Sequence, residues 1–192
     1  MHELAQPEYT PVMTPTTDDD PYPSPPNPSN PPNQPPLCRV DFELIDPLGL
    51  LDQSGHSNIN TWAIAVFSQL AASGSVRAKI VNDQEMAAAH TTFSGIDGTT
   101  DVLTFDLNDQ DSSENKILDT DLLICIDEAS RQAQQQGHSQ AHELLLYIIH
   151  GTLHCLGYDD HSEEDFKAMH DKEDQLLTAA GIGPLFYRGA QQ

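Results

Sequence analysis

Alternating strand and helix signals between Cys38 and Thr178 predict an α/β (α+β) fold, with a mixed sheet of about four strands and helices packed on it. Three observations carry this. Short stretches place apolar residues at every second position, as in Val40, Phe42 and Leu44. Between them lie longer stretches with apolar residues at helical spacing. Capping residues and glycines punctuate the boundaries.

Cys38–Leu44 reads as the first strand. Asn60–Ala72 reads as a helix, because Trp62, Ala63, Val66, Phe67 and Leu70 share one face. Ser75–Val81 is a second strand, with Val76, Ala78 and Ile80 in phase. Asp83–Thr91 is a short helix with an acidic start, followed by turn signals at Ser94-Gly95 and Asp97-Gly98. Asp101–Leu107 and the apolar run in Asp121–Asp127 are further strands. Glu128–Gln136 is a helix closed by Gly137. Ser139 caps the next helix, which carries the run Leu144-Leu145-Leu146-Tyr147-Ile148-Ile149. Ser162 caps a last helix through Thr178, and Glu163, Glu164 and Asp165 suit its positive end.

Before this region the composition changes. Twelve of the fourteen prolines fall at or before Pro36, mixed with Asn, Ser, Thr and Asp. Such a segment buries too little apolar surface to offset its ordering entropy, so residues 1–36 are expected to be a disordered, partly polyproline tail, and 37–192 the folded domain. No apolar stretch is long enough to span a membrane, and the start Met-His-Glu-Leu-Ala has neither a basic region nor an apolar signal core. Cys38, Cys125 and Cys155 are an odd number in apolar contexts and read as reduced. Together these point to the cytoplasm. The formal charge of −22, with 8 Lys and Arg against 30 Asp and Glu, excludes a general duplex-coating nucleic-acid binder. It is compatible with a metal enzyme that touches RNA over a short single-stranded stretch.

The chemistry concentrates in His150-Gly-Thr-Leu-His154-Cys-Leu-Gly157-Tyr-Asp-Asp160-His161. Histidines four apart on a helix lie about 40° apart around its axis, so both imidazoles reach one ion. Gly157 can take the left-handed conformation that ends the helix and turns the chain back. Asp160 or His161 then becomes a third ligand, and three protein ligands leave a position for water, as at a catalytic zinc. Zinc proteases of the H-E-x-x-H kind place a Glu beside the first histidine as general base; here that position is Gly151, which disfavours peptide hydrolysis. His142 reads as an exposed residue or one supporting the site, His138 as a loop hydrogen bonder, and Asp159 as an acceptor for a ligand imidazole or a plain turn residue.

These motifs resemble those of the YbeY endoribonucleases, also called rRNA maturation factors. The metal segment is similar to that family's His-Gly-x-Leu-His-x-x-Gly-Tyr-Asp-His. Thr99–Phe105 resembles its T-D-V-L-S-F segment, Thr120–Cys125 its G-D-I-x-I segment, Ala133–Ser139 its A-x-x-x-G-H-S run, and Met169 and Glu173 its M-x-x-x-E helix. The resemblance covers roughly residues 38–177 and has two departures. Asp160 stands at the ungapped position of the family's third histidine, so His150, His154 and Asp160 are the first choice of ligands and catalytic residues, with His161 the alternative. Ser94 stands where the family has an Arg thought to hold the phosphate. The resemblance implies a zinc-dependent, single-strand-specific endoribonuclease. It implies an rRNA precursor as substrate and the small ribosomal subunit or its proteins as partners. The contrasting expectation is a metal-stabilised ribosome-assembly factor with weak or no catalysis.

Overall fold

The computed structural model describes residues 39–108 and 116–185. The expectations for the proline-rich tail and for Cys38 lie outside the described residues. Among the described residues, four strands form one mixed sheet in the order β1-β2-β4-β3. They are β1 (Val40–Ile45), β2 (Ala72–Val81), β3 (Val102–Asp106) and β4 (Lys116–Cys125). β1, β2 and β4 run parallel, and β3 lies antiparallel along β4 with Val102 opposite Ile124 and Thr104 opposite Leu122. Five helices accompany it: α1 (Gln53–Phe67), α2 (Asp83–Ser94), α3 (Ile126–Gln136), α4 (Gln140–Cys155) and α5 (Glu163–Ala179).

The strand period of two separates the faces. On one face Val76, Ala78, Ile80, Leu122 and Ile124 join α1, α4 and α5 in the main core. On the other, Val81, Cys125, Leu103 and Leu123 form a smaller cluster with Met86 of α2. α4 is the central helix: Leu144, Leu145, Ile148, Ile149 and Leu153 are all essentially buried. A helix apolar on most of its circumference belongs inside a fold.

Several boundaries differ from the sequence expectation. α1 begins at Gln53 instead of Asn60, because Asp52 caps it by accepting from Gly55 N at 2.7 Å. Its first turns are polar, so the apolar period becomes visible only from Ile59. The same helix stops at Phe67, and Ala72 already belongs to β2. β4 begins at Lys116 instead of Asp121, since Asp119 and Asp121 face Arg77 on β2 at 2.7 and 2.5 Å and hide the alternation behind charge. Ile126 and Asp127 are the first turn of α3, not the end of a strand.

Candidate metal centre

α4 starts where Ser139 accepts a hydrogen bond from His142 N at 3.2 Å. It ends in a Schellman arrangement. Tyr158 N donates to Leu153 O at 3.0 Å, Gly157 N donates to His154 O at 2.9 Å, and Gly157 has φ +87°. This reversal carries the chain from the helix to Asp160. Mid-helix, Gly151 lies directly over the β3–β4 pair. A Cβ there would stand 2.7 Å from Leu122 Cδ2 and 2.8 Å from Thr104 Oγ1. The glycine therefore lets α4 pack closely on the sheet. A protease-type Glu at this position has no room, a physical reason that the sequence alone did not supply.

This packing sets His150 and His154 together, with their Nε2 atoms 3.0 Å apart. Each ring is held from behind. His150 Nδ1 donates to Glu173 Oε1 at 2.7 Å, and His154 Nδ1 donates to the Tyr158 carbonyl at 3.1 Å. An ionised carboxylate and a carbonyl can only accept, so both Nδ1 atoms carry the proton, and each neutral imidazole is left with an Nε2 lone pair. Two lone pairs facing one another at this distance repel unless a proton or a cation lies between them. Tetrahedral ligands on zinc stand roughly 3.4 Å apart at bond lengths near 2.1 Å, so a small separation of the imidazoles would suit a shared ion.

Asp160 joins the pair, its Oδ2 3.8 Å from His150 Nε2. His150, His154 and Asp160 each offer one ligand atom within 4.8 Å of the others. His161 is placed differently. Its side chain is 85% exposed, and its Nδ1 is bonded to the Asp159 carboxylate. Asp159, Asp160 and His161 form a second, more exposed group of possible ligand atoms. Asp159 thus serves His161 and not an imidazole of the helical pair. His142 stays half-buried against Trp62, with ring centroids 4.9 Å apart. Ser94 is exposed at the end of α2.

The sequence reading gave no role to the residue that organises the pair from behind. Glu173 is 1% exposed, and its other oxygen accepts from His170 Nδ1 at 2.5 Å. Burial alone would raise its pKa, but the hydrogen bonds from His150 and His170 outweigh this and hold it below its ordinary value of 4.5. For His150, burial works to lower the pKa, and the Glu173 hydrogen bond and charge overcome it, so the net shift is upward from 6.5. A carboxylate behind a ligand imidazole fixes its tautomer and raises its basicity. His138, expected only as a loop hydrogen bonder, has a partner too: its Nε2 is bonded to the Glu143 carboxylate, with both side chains largely buried.

Known proteins resemble this chain. The family model described as Endoribonuclease YbeY matches residues 53–181. The protein of that name from Bacillus licheniformis is 35% identical over 114 residues, covering 56% of this chain and 72% of the relative. That from Desulforamulus reducens is 39% identical over 106 residues, covering 53% and 69%. That from Carboxydothermus hydrogenoformans is 32% identical over 126 residues, covering 65% and 86%. The solution structure of TM1509 from Thermotoga maritima aligns with 73% of this chain and 90% of its own, at 23% identity and a TM-score of 0.47. With the family model spanning well over half its length, this chain belongs to the YbeY endoribonuclease family.

Proposed function

We propose that this chain is a zinc-dependent endoribonuclease that cuts single-stranded RNA during rRNA maturation and ribosome quality control, with His150, His154 and Asp160 as the metal ligands. The observation that carries the metal reading is the pair of inward-facing Nε2 lone pairs, each fixed by an acceptor behind its ring, with the Asp160 carboxylate beside them. Family membership supplies the reaction class. A bound zinc would supply Lewis acidity towards a water or a phosphoryl oxygen. The chain's own residues hold the ligand geometry: Glu173 and the Tyr158 carbonyl orient the imidazoles, and the packing at Gly151 fixes the helix beneath them. The reading places the protein in the cytoplasm beside the small ribosomal subunit. Among the described residues, no helix is long and apolar enough to cross a membrane.

The assembly-factor reading also has an observation in its favour. Arg39, Arg77 and Arg131 all pair with carboxylates, and Ser94 offers no cation. The discriminating experiment is cleavage of a single-stranded RNA by the purified full chain, with and without a chelator, beside His154→Ala. Metal-dependent cleavage lost in the variant supports the enzyme. Ribosome association without turnover supports the assembly factor. A companion deletion of residues 1–36 tests the assignment of function to 37–192, and we expect metal content and cleavage to persist.

A further inference from the structure

A groove of about 800 Å³ continues from His150 along α4, walled by α3, the segment 99–101 and α5. Its lining includes Asp101, Glu128, Gln132, Gln136, His138 and Tyr147, and no Lys or Arg among the described residues. Such a wall repels phosphate and is rich in hydrogen-bond acceptors. One Asp101 oxygen is committed to Val102 N and the Thr100 hydroxyl, leaving the other for a ligand. Glu128 is bound to Arg131 and Gln132, which leaves the Gln132 carbonyl as the acceptor at that point. Tyr147 is the exception to the acceptor pattern. It is 6% exposed, and its hydroxyl has no hydrogen-bond partner of good geometry among the described residues. Burial, and after it the charge of Glu143, pushes its phenol far above the ordinary range, so the hydroxyl stays a donor.

We propose that this groove is a nucleobase pocket that takes the base next to the scissile phosphate and prefers bases with an exocyclic amine over uracil. The inference rests on the endoribonuclease reading for the position of the phosphate at the imidazole pair. An acceptor-rich wall matches the amino groups of cytosine, adenine and guanine, whereas uracil presents two carbonyl oxygens around a single N–H. The base edges that these groups would read are occupied in a duplex, so a preference for single strands follows from the same wall.

The test uses the zinc-loaded full chain with short oligoribonucleotides of cytosine or of uracil, measuring cleavage. Binding of the uncleavable 2′-O-methyl forms is measured separately by fluorescence anisotropy. We expect cytosine to be favoured over uracil by about tenfold, the effect of roughly one net hydrogen bond. Asp101→Asn keeps the acceptor for Val102 N but removes the carboxylate, and Gln136→Ala changes an exposed side chain; each should move the ratio towards one. Cleavage with equal use of both bases, unchanged by the variants, overturns the pocket and leaves the endoribonuclease standing. A base preference in binding that the variants erase, without cleavage, supports the pocket and sinks the endoribonuclease. Neither cleavage nor base-dependent binding overturns both.

Discussion

The two halves of the candidate metal centre are built in different ways. His150 and His154 stand on a buried helix, and each ring has a second partner that fixes its tautomer. Asp160 and His161 stand on a turn whose bonds are local: Asp160 N donates to Asp159 Oδ1 at 2.8 Å, and His161 is bonded to the same side chain. The helical half is positioned by the core, so its geometry persists when the ion leaves. The turn half is positioned by neighbours one or two residues away, so its geometry is easily changed. Affinity is therefore expected to depend on both halves, and the stability of the fold on the helical half only.

The strongest way to break this comparison is through Gly151. Introducing Gly151→Glu, which recreates the H-E-x-x-H pattern, forces a charged side chain between Leu122 and Thr104. We expect a loss of roughly 4 kcal/mol or more, enough to unfold a marginal domain. Gly151→Ala gains about 1 kcal/mol of helix propensity and loses about 1–3 kcal/mol to overpacking, so it should destabilise mildly. Denaturant titration checks both. A folded, stable Glu variant would show that α4 can lift from the sheet.

Next in size is Glu173. Replacing it by Ala removes the partner of two histidines inside the core and should cost about 3–5 kcal/mol. Glu173→Gln keeps the shape and loses the charge, and should weaken zinc binding by about 10- to 100-fold. The pH dependence gives a sharper test on the metal-free chain. His150 has a raised pKa, so its contribution is fully present below 6.5 and fades as pH rises through the folded value. Glu173 has a lowered pKa, so its contribution is present above 4.5 and fades as pH falls through the folded value. Both operate together between about pH 4.5 and 6.5. The difference in Tm between the wild type and Glu173→Gln should be widest in that window. A difference that grows steadily towards alkaline pH would contradict the pairing.

The asymmetry between the halves also explains what the sequence could reveal. The helical histidine pair was legible because it follows one rule, four residues apart on a capped, apolar helix, ended by Gly157. The sheet was legible in its strand count and α/β character. β4 was read short because Asp119 looks like a loop residue until Arg77 is seen across from it. Glu173 lies 23 residues from His150 and meets it only because α5 folds back onto α4. The family-like M-x-x-x-E spacing marked the residue without revealing what it touches. The pairing of His138 with Glu143 was hidden for a related reason: it spans a helix cap, where neither strand nor helix period applies.

Within the turn, Asp160→Ala should lower zinc affinity about a hundredfold or more, since losing a ligand costs at least as much as losing a group behind one. Isothermal titration with a competing chelator reads this directly. Fold stability without metal should change little, in contrast to Glu173→Ala. An equal loss of metal-free stability would mean that the turn is tied to the core more firmly than its exposed side chains indicate.

The smallest effect is expected at His161. Its ring is 85% exposed, and its Nδ1 is bonded to Asp159, whose hydrogen bond raises the imidazole's pKa from its ordinary 6.5. To become a ligand through Nε2, the exposed ring would have to swing towards the imidazole pair and displace Asp160, which already has Oδ2 3.8 Å from His150 Nε2. A carboxylate in this position makes the site one charge more negative than an imidazole would. The ion is then a weaker Lewis acid, and its water less acidic. His161→Ala should change zinc affinity by less than about threefold, well below the loss from removing even a residue behind a ligand. Asp160→His tests the same point from the other side. It restores three imidazoles, so the pH at which half-maximal cleavage is reached should fall. Should His161→Ala empty the site while Asp160→Ala leaves it filled, the turn must rearrange around the ion, and the assignment of the third ligand reverses.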